Sequence, residues 1–136
     1  MDKYVIRFFN KMGFYNKEYF KLIENNTTIV DEEYENISDL VGFYPNIFKL
    51  ILPKIKSYRD ILIWIHEYTH ALFPDDNDEI FPNLMEAYFI NMYIDDKKIV
   101  NKLIDKTKTE IDNSSDFEHT IAKKIKLDTI TKNKML

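Results

Sequence analysis

The sequence contains no cysteine, which excludes disulfide bridges, thiolate metal sites and a cysteine nucleophile. Any bound metal ion would therefore need histidine, aspartate or glutamate ligands. Glycine and proline are also scarce, at two and four residues among 136, and this favours regular secondary structure over long irregular loops. The length suits one hydrophobic core, so we expect a single domain over residues 1–136.

Long apolar runs and an excess of positive charge are missing as well. The longest apolar run, Ile61–Ile65, is far too short to span a bilayer. A secretory signal needs an unbroken apolar segment, and Arg7 interrupts the apolar residues near the N-terminus. The net charge of −4 and the pI near 5.4 weigh against a nucleic-acid partner, because phosphate binding needs a basic surface. We therefore expect a soluble, cytoplasmic protein with neither a nucleic-acid nor a membrane partner. Nothing in the sequence predicts its oligomeric state.

The pattern of apolar residues and helix caps predicts an α+β fold that is mostly helical. Strands are expected where β-branched and aromatic residues cluster, at 3–9, 27–30 and 43–53. Pro45 and Pro53 bracket the third of these, and proline favours strand edges, so we expect an edge strand there. Helices are expected over residues 17–25, 58–73, 78–95, 97–111 and 117–130.

The segment His66-Glu67-Tyr68-Thr69-His70 carries the most specific chemistry in the chain. Ser57 and Asp60 form a variant of the capping box at the start of its helix, and Pro74 ends that helix near Phe73. Histidines four residues apart lie on one helix face, where both imidazoles can bind the same ion. The best candidate is Zn²⁺, with Glu67 placed to act as general base on a water molecule.

A catalytic zinc ion usually has three protein ligands, so a third must come from elsewhere. Phe73 and Asp76 stand where a metzincin would carry glycine and histidine, which excludes that solution. A glutamate on the next helix is the alternative. In an antiparallel hairpin turning near residues 75–76, Glu86 lies opposite His66 and is the preferred third ligand. Glu79, seven residues earlier on the same helix face, is the alternative ligand. Whichever glutamate is not the ligand is expected to accept a hydrogen bond from a ligand histidine.

The stretch from Ile65 to Leu72, followed by Glu79–Glu86, resembles the gluzincin group of zinc metallopeptidases, and the short chain is similar to its minimal members, the minigluzincins. Thermolysin and thimet oligopeptidase belong to families of this group. The resemblance covers roughly residues 43–95. It implies a zincin-like core, in which a small sheet has its edge strand before the HExxH helix, a second site helix follows, and C-terminal helices complete the domain. It also implies a peptide or protein substrate, bound along the sheet edge.

The resulting hypothesis is zinc-dependent hydrolysis of peptide bonds, with His66, His70 and Glu86 as ligands and Glu67 as the base. Tyr88, Tyr93 and His119 are candidates for the group that stabilises the oxyanion, by residue type alone. Two other interpretations stay open. One is a catalytically latent zincin-fold module that binds metal or regulates a partner, and the other is a small helical interaction domain without metal.

Overall fold

The computed structural model describes residues 2–134, and about 65% of these residues are helical. These residues form seven helices and one mixed three-stranded sheet, which confirms the predicted α+β, mostly helical class. The chain divides into two compact units, one ending at Asp76 and the other beginning at Asn77. Each unit is described by itself below.

The first unit begins with two helices, α1 (Lys3–Lys11) and α2 (Lys17–Asn25). The strand predicted over residues 3–9 is therefore wrong. Val5, Phe8 and Phe9 follow a helical spacing and are fully buried, while the Asp2 carboxylate caps the helix by accepting hydrogen bonds from the backbone N–H groups of Tyr4 and Val5. The helix expected after Asn16 is confirmed, since the Asn16 side chain accepts from the Tyr19 N–H at 2.9 Å.

The sheet of the first unit has the order β1-β3-β2, where β1 is Thr27–Val30, β2 is Gly42–Tyr44 and β3 is Lys49–Pro53. A short helix, α3 (Tyr34–Ile37), lies in the connection between β1 and β2. Strand β1 runs parallel to β3 and β2 runs antiparallel to it. Of the strands predicted from sequence, the one at 27–30 is confirmed.

The edge strand predicted over residues 43–53 is wrong in two respects. The segment forms two strands, because Phe48 adopts a left-handed φ of 45° and turns the chain between them. The second of the two, β3, is the central strand, since it pairs with β1 on one side and with β2 on the other. Pro53 is tolerated there because it is the last residue of the strand, and the next N–H, that of Lys54, donates to Val30.

The first unit ends with α4 (Tyr58–Leu72), whose bounds match the helix predicted around the histidines. Asp60 accepts hydrogen bonds from the Lys56 N–H at 2.9 Å and the Ser57 hydroxyl at 3.4 Å. The start of the helix is therefore stabilised by the aspartate of the predicted capping pattern, while the Ser57 side chain makes no backbone capping bond. The core of this unit contains fully buried side chains from β3 (Leu50 and Leu52) and from α4 (Ile65 and Tyr68).

The second unit is helical over its described residues, with α5 (Ile80–Tyr93), α6 (Lys97–Asn113) and α7 (Phe117–Lys134). These agree with the three helices predicted from sequence to within a few residues at each end. Within this unit, helix α7 packs most extensively against α5, and it also packs against α6. Much of α5 is buried, including the side chains of Met85, Ala87, Phe89 and Ile90. Among the described residues, none of the helices combines the length and the apolar character needed to cross a membrane.

Candidate metal centre

Helix α4 presents Ile63, His66, Glu67 and His70 as one stripe of half-buried side chains. Their spacing of three and four residues places them along a single helix face. The neighbouring Trp64, Ile65, Tyr68 and Thr69 are buried instead. The alternation separates a face that packs into the protein from a face on which polar groups keep partial access to solvent.

The buried face of α4 is fastened to the rest of the first unit at two points. The Trp64 indole N–H donates to the Pro53 carbonyl at 2.6 Å, which ties the middle of the helix to the end of β3. The Tyr19 hydroxyl donates to the Ala71 carbonyl at 2.6 Å and satisfies one of the carbonyls left open at the helix C-terminus. The two histidines therefore lie on a helix whose position is set both before and after them.

The rings of His66 and His70 lie close together. Their centroids are 5.0 Å apart with an angle of 65° between the ring planes, and each offers a ring nitrogen within 4.8 Å of the other. Two nitrogens bound tetrahedrally to one zinc ion at 2.0–2.1 Å would be about 3.4 Å apart. The ring nitrogens that His66 and His70 offer lie no farther apart than 4.8 Å, so the donor set on α4 fits a divalent metal ion with side-chain rotation alone.

Tyrosine residues around α4 are held in their neutral form. Burial, followed by the negative charge of Glu24, raises the pKa of Tyr68, whose ring stacks on Trp64 with centroids 6.0 Å apart. Burial and the charge of Asp75 likewise raise the pKa of Tyr19, the tyrosine that donates to Ala71. Both hydroxyl groups therefore remain uncharged through the neutral range and can serve as donors.

In the second unit, one side of α5 carries Asn83 and Glu86, and Glu79, just before the helix start, continues the same spacing. Asn83 is 1% exposed, and its side-chain N–H donates to the Glu79 carbonyl at 2.8 Å. Its side-chain oxygen is buried and lacks a hydrogen-bond partner within the described residues. A buried acceptor in this state indicates a place where a donor such as water or a polar ligand belongs.

The two candidate third ligands differ in their surroundings within this unit. The Glu86 carboxylate lies 3.0 Å from the Lys126 ammonium, and both side chains are almost fully buried. Glu79 is half-buried just before the first residue of α5, and its carboxylate lies 3.7 Å from Nε2 of His119. A metal ion at Glu86 would have to compete with an ammonium group already in contact with it. Glu86, the ligand preferred from the sequence, and Glu79, its alternative, both stay predictions.

The three residues considered for the oxyanion lie at different places in the second unit. Tyr88 is half-buried in the middle of α5, and Tyr93, the last residue of that helix, is 36% exposed with its ring against Phe89. His119 lies in the first turn of α7 and also contacts Asp116.

Sequence reasoning missed Tyr19, Trp64 and Lys126, the residues that hold the site-bearing helices in place. The partners of Tyr19 and Lys126 are 52 and 40 residues away along the chain, so no local pattern signals them. The single tryptophan offered a weak signal, because a buried indole N–H generally needs an acceptor.

The chain was compared with protein-family models, with curated proteins and with solved structures, and none of the three comparisons yields a match.

Proposed function

We propose that this protein is a zinc-dependent peptidase whose centre is built on α4. The observation that carries the proposal is the arrangement of His66 and His70, with nitrogens within 4.8 Å of each other on one half-buried helix face and Glu67 beside them. The resemblance of the surrounding segment to gluzincins supports the same conclusion. A peptide or protein substrate and a cytoplasmic location are part of the proposal.

For the third ligand we propose Glu79. His66, His70 and Glu79 each offer one atom of a type that binds zinc, and each is half-buried. Glu86 is the less suitable carboxylate because Lys126 neutralises it within a buried pair. The buried, unsatisfied oxygen of Asn83 lies one helical turn from Glu79 and supports a polar ligand near this face.

Glu67 is proposed to act as the general base. When bound, zinc lowers the pKa of water to about 7 and polarises the scissile carbonyl. Glu67 takes a proton from the attacking water while the water oxygen forms a bond to the carbonyl carbon. The same carboxyl then delivers that proton to the leaving amine as the C–N bond breaks. His66 and His70 contribute neutral nitrogen donors and do not transfer protons.

The decisive experiment measures zinc content and hydrolysis on the same preparations. Purified protein is reconstituted with Zn²⁺, its metal content is determined by mass spectrometry, and it is assayed against a mixed library of quenched-fluorescent peptides. The variant Glu67→Gln should retain zinc and lose activity by about 10²–10⁴-fold, the usual contribution of a general base. The exposed loop residue Glu32 provides the matched control, because Glu32→Gln makes the same chemical change and should leave both readouts unchanged.

Each alternative has its own result. A protein that binds one zinc ion and cleaves no peptide would favour the latent or regulatory module. A protein that binds no zinc, and is not stabilised when zinc is added, would overturn both metal hypotheses and favour the helical interaction domain. Undiminished hydrolysis by Glu67→Gln would remove Glu67 from the mechanism.

A further inference from the structure

His119 connects two carboxylates of the second unit. Its Nε2 lies 3.7 Å from Oε1 of Glu79, and its Nδ1 makes a short contact with Oδ2 of Asp116. The Glu79 side chain is 16% exposed, whereas those of His119 and Asp116 are about half exposed. The ring therefore links an acidic group at the surface to a more buried one near the start of α5.

Asp116 is well placed to fix the orientation of the ring. Its Oδ1 accepts a hydrogen bond from the Glu118 N–H at 3.1 Å, and its backbone carbonyl accepts from the N–H and the hydroxyl of Thr120. The Ser114 hydroxyl also donates to that carbonyl, at 3.1 Å. The contact with His119, together with the Glu118 N–H, lowers the pKa of Asp116, so this carboxyl is ionised at neutral pH.

We propose that Asp116 and His119 together orient the Glu79 carboxylate for metal binding, with His119 as a positioning residue. The inference rests on the proposed function, in which Glu79 is the third ligand. A donor at one carboxylate oxygen restricts rotation of the group and leaves the other oxygen directed at the ion. Asp116 and Glu79 are both acceptors, so the ring donates to both as the imidazolium, through Nδ1–H to Asp116 and Nε2–H to Glu79. In that form the 3.7 Å between Nε2 and the Glu79 carboxylate is an ion-pair contact that a small side-chain movement shortens to a hydrogen bond.

The placement of the two ring nitrogens allows a test by rescue. The side-chain amide nitrogen of glutamine reaches the position of histidine Nε2, so His119→Gln keeps a donor for Glu79. The amide nitrogen of asparagine reaches only the position of Nδ1, so His119→Asn keeps a donor for Asp116 and loses the one for Glu79. Lys124→Ala, at an exposed position of the same helix, is the matched control.

The experiment titrates each full-length variant with Zn²⁺ against a chelating indicator and records the visible absorption of the Co²⁺-substituted protein. His119→Ala and His119→Asn should weaken zinc binding by about tenfold or more, the usual effect of removing a group that supports a metal ligand. His119→Gln should remain within about threefold of the wild type, because its amide still donates to the ligand. The Co²⁺ spectrum should shift in the first two variants and not in His119→Gln or Lys124→Ala.

The outcomes separate this inference from the function on which it rests. If the wild type binds no zinc, the proposed function fails. If the wild type binds zinc and Glu79→Ala weakens binding while His119→Ala does not, the function stands and the role of His119 is overturned. Equal weakening by His119→Gln and His119→Asn would also overturn it, because donation to Glu79 would then be irrelevant. Should His119→Ala fail to fold, the comparison of the glutamine and asparagine variants still decides the question.

Discussion

Replacing Lys126 with methionine tests the buried ion pair that distinguishes Glu86 from Glu79. Methionine keeps most of the length and apolar character of the lysine stem and removes only the ammonium group. The Glu86 carboxylate would then remain at a position where its side chain is 11% exposed, without the cation that lies 3.0 Å away in the native protein. We expect the second unit to lose substantial stability, because a buried charge without its partner is more costly than a buried pair.

The size of the loss follows from the geometry of the pair. Two unit charges 3.0 Å apart attract by about 5–6 kcal/mol at an effective dielectric constant of about 20. Much of this attraction offsets the cost of removing both groups from water, so the pair itself stabilises the fold far less. Removing one partner abolishes the attraction and leaves the desolvation cost of the other, and the free energy of unfolding should fall by about 3 kcal/mol.

Urea unfolding followed by circular dichroism at neutral pH, without added metal, measures this quantity. The companion variants are Glu86→Gln and the double variant Glu86→Gln/Lys126→Met, which complete a double-mutant cycle. The double variant should be more stable than the sum of the single effects predicts, by about 2 kcal/mol, because it leaves no unpaired charge. A loss below about 1 kcal/mol for Lys126→Met, or strict additivity in the cycle, would refute the reasoning that the pair is buried and coupled.

Two further predictions concern the first unit. Burial raises the pKa of Tyr68 in the folded state, so the neutral Tyr68 contributes its full stabilisation below pH 10 and loses it as pH rises above 10. Tyr68→Phe should therefore reduce the fall of the unfolding free energy with alkaline pH by about 1.36 kcal/mol per pH unit. Equal slopes for the two proteins between about pH 10 and 12 would contradict this prediction. Replacing Asp2 with alanine removes the acceptor for two N–H groups of α1 and should cost about 1 kcal/mol in urea unfolding, while Asp2→Asn, which keeps an acceptor, should cost only a few tenths.

Helix α4 could be predicted closely from the sequence because its signals are local. Asp60 lies within one turn of the helix start, Pro74 follows its end, and the apolar residues between them keep one spacing. Helix α1 could not, because Phe8 and Phe9 also suit a strand, and a single aspartate at position 2 is a weak signal for a helix start. The helix and the strand differ in where they place Val5, Phe8 and Phe9. A helix puts all three on one side, whereas a strand puts Phe8 on the opposite side.

The position of β3 in the sheet and the partner of Glu86 depend on contacts between distant parts of the chain. Pro45 and Pro53 suggested an edge strand, but proline at the end of a strand leaves its interior free to pair on both sides. Lys126 is separated from Glu86 by 40 residues, and its sequence context is that of an ordinary charged helix residue. The histidine pair could be predicted since its spacing alone places both rings on one face, whereas the third ligand depends on how separate helices are arranged.

The central strand β3 is also the last of the three strands along the chain, and this order has a consequence for folding. Strands β1 and β2 each join the sheet only through β3, so no part of the sheet can form until residues 49–53 are available. The antiparallel pairing of β2 with β3 closes a short loop, while the parallel pairing of β1 with β3 closes one that includes α3. Because longer closures cost more entropy, we expect the hairpin to form first and β1 to dock on it afterwards.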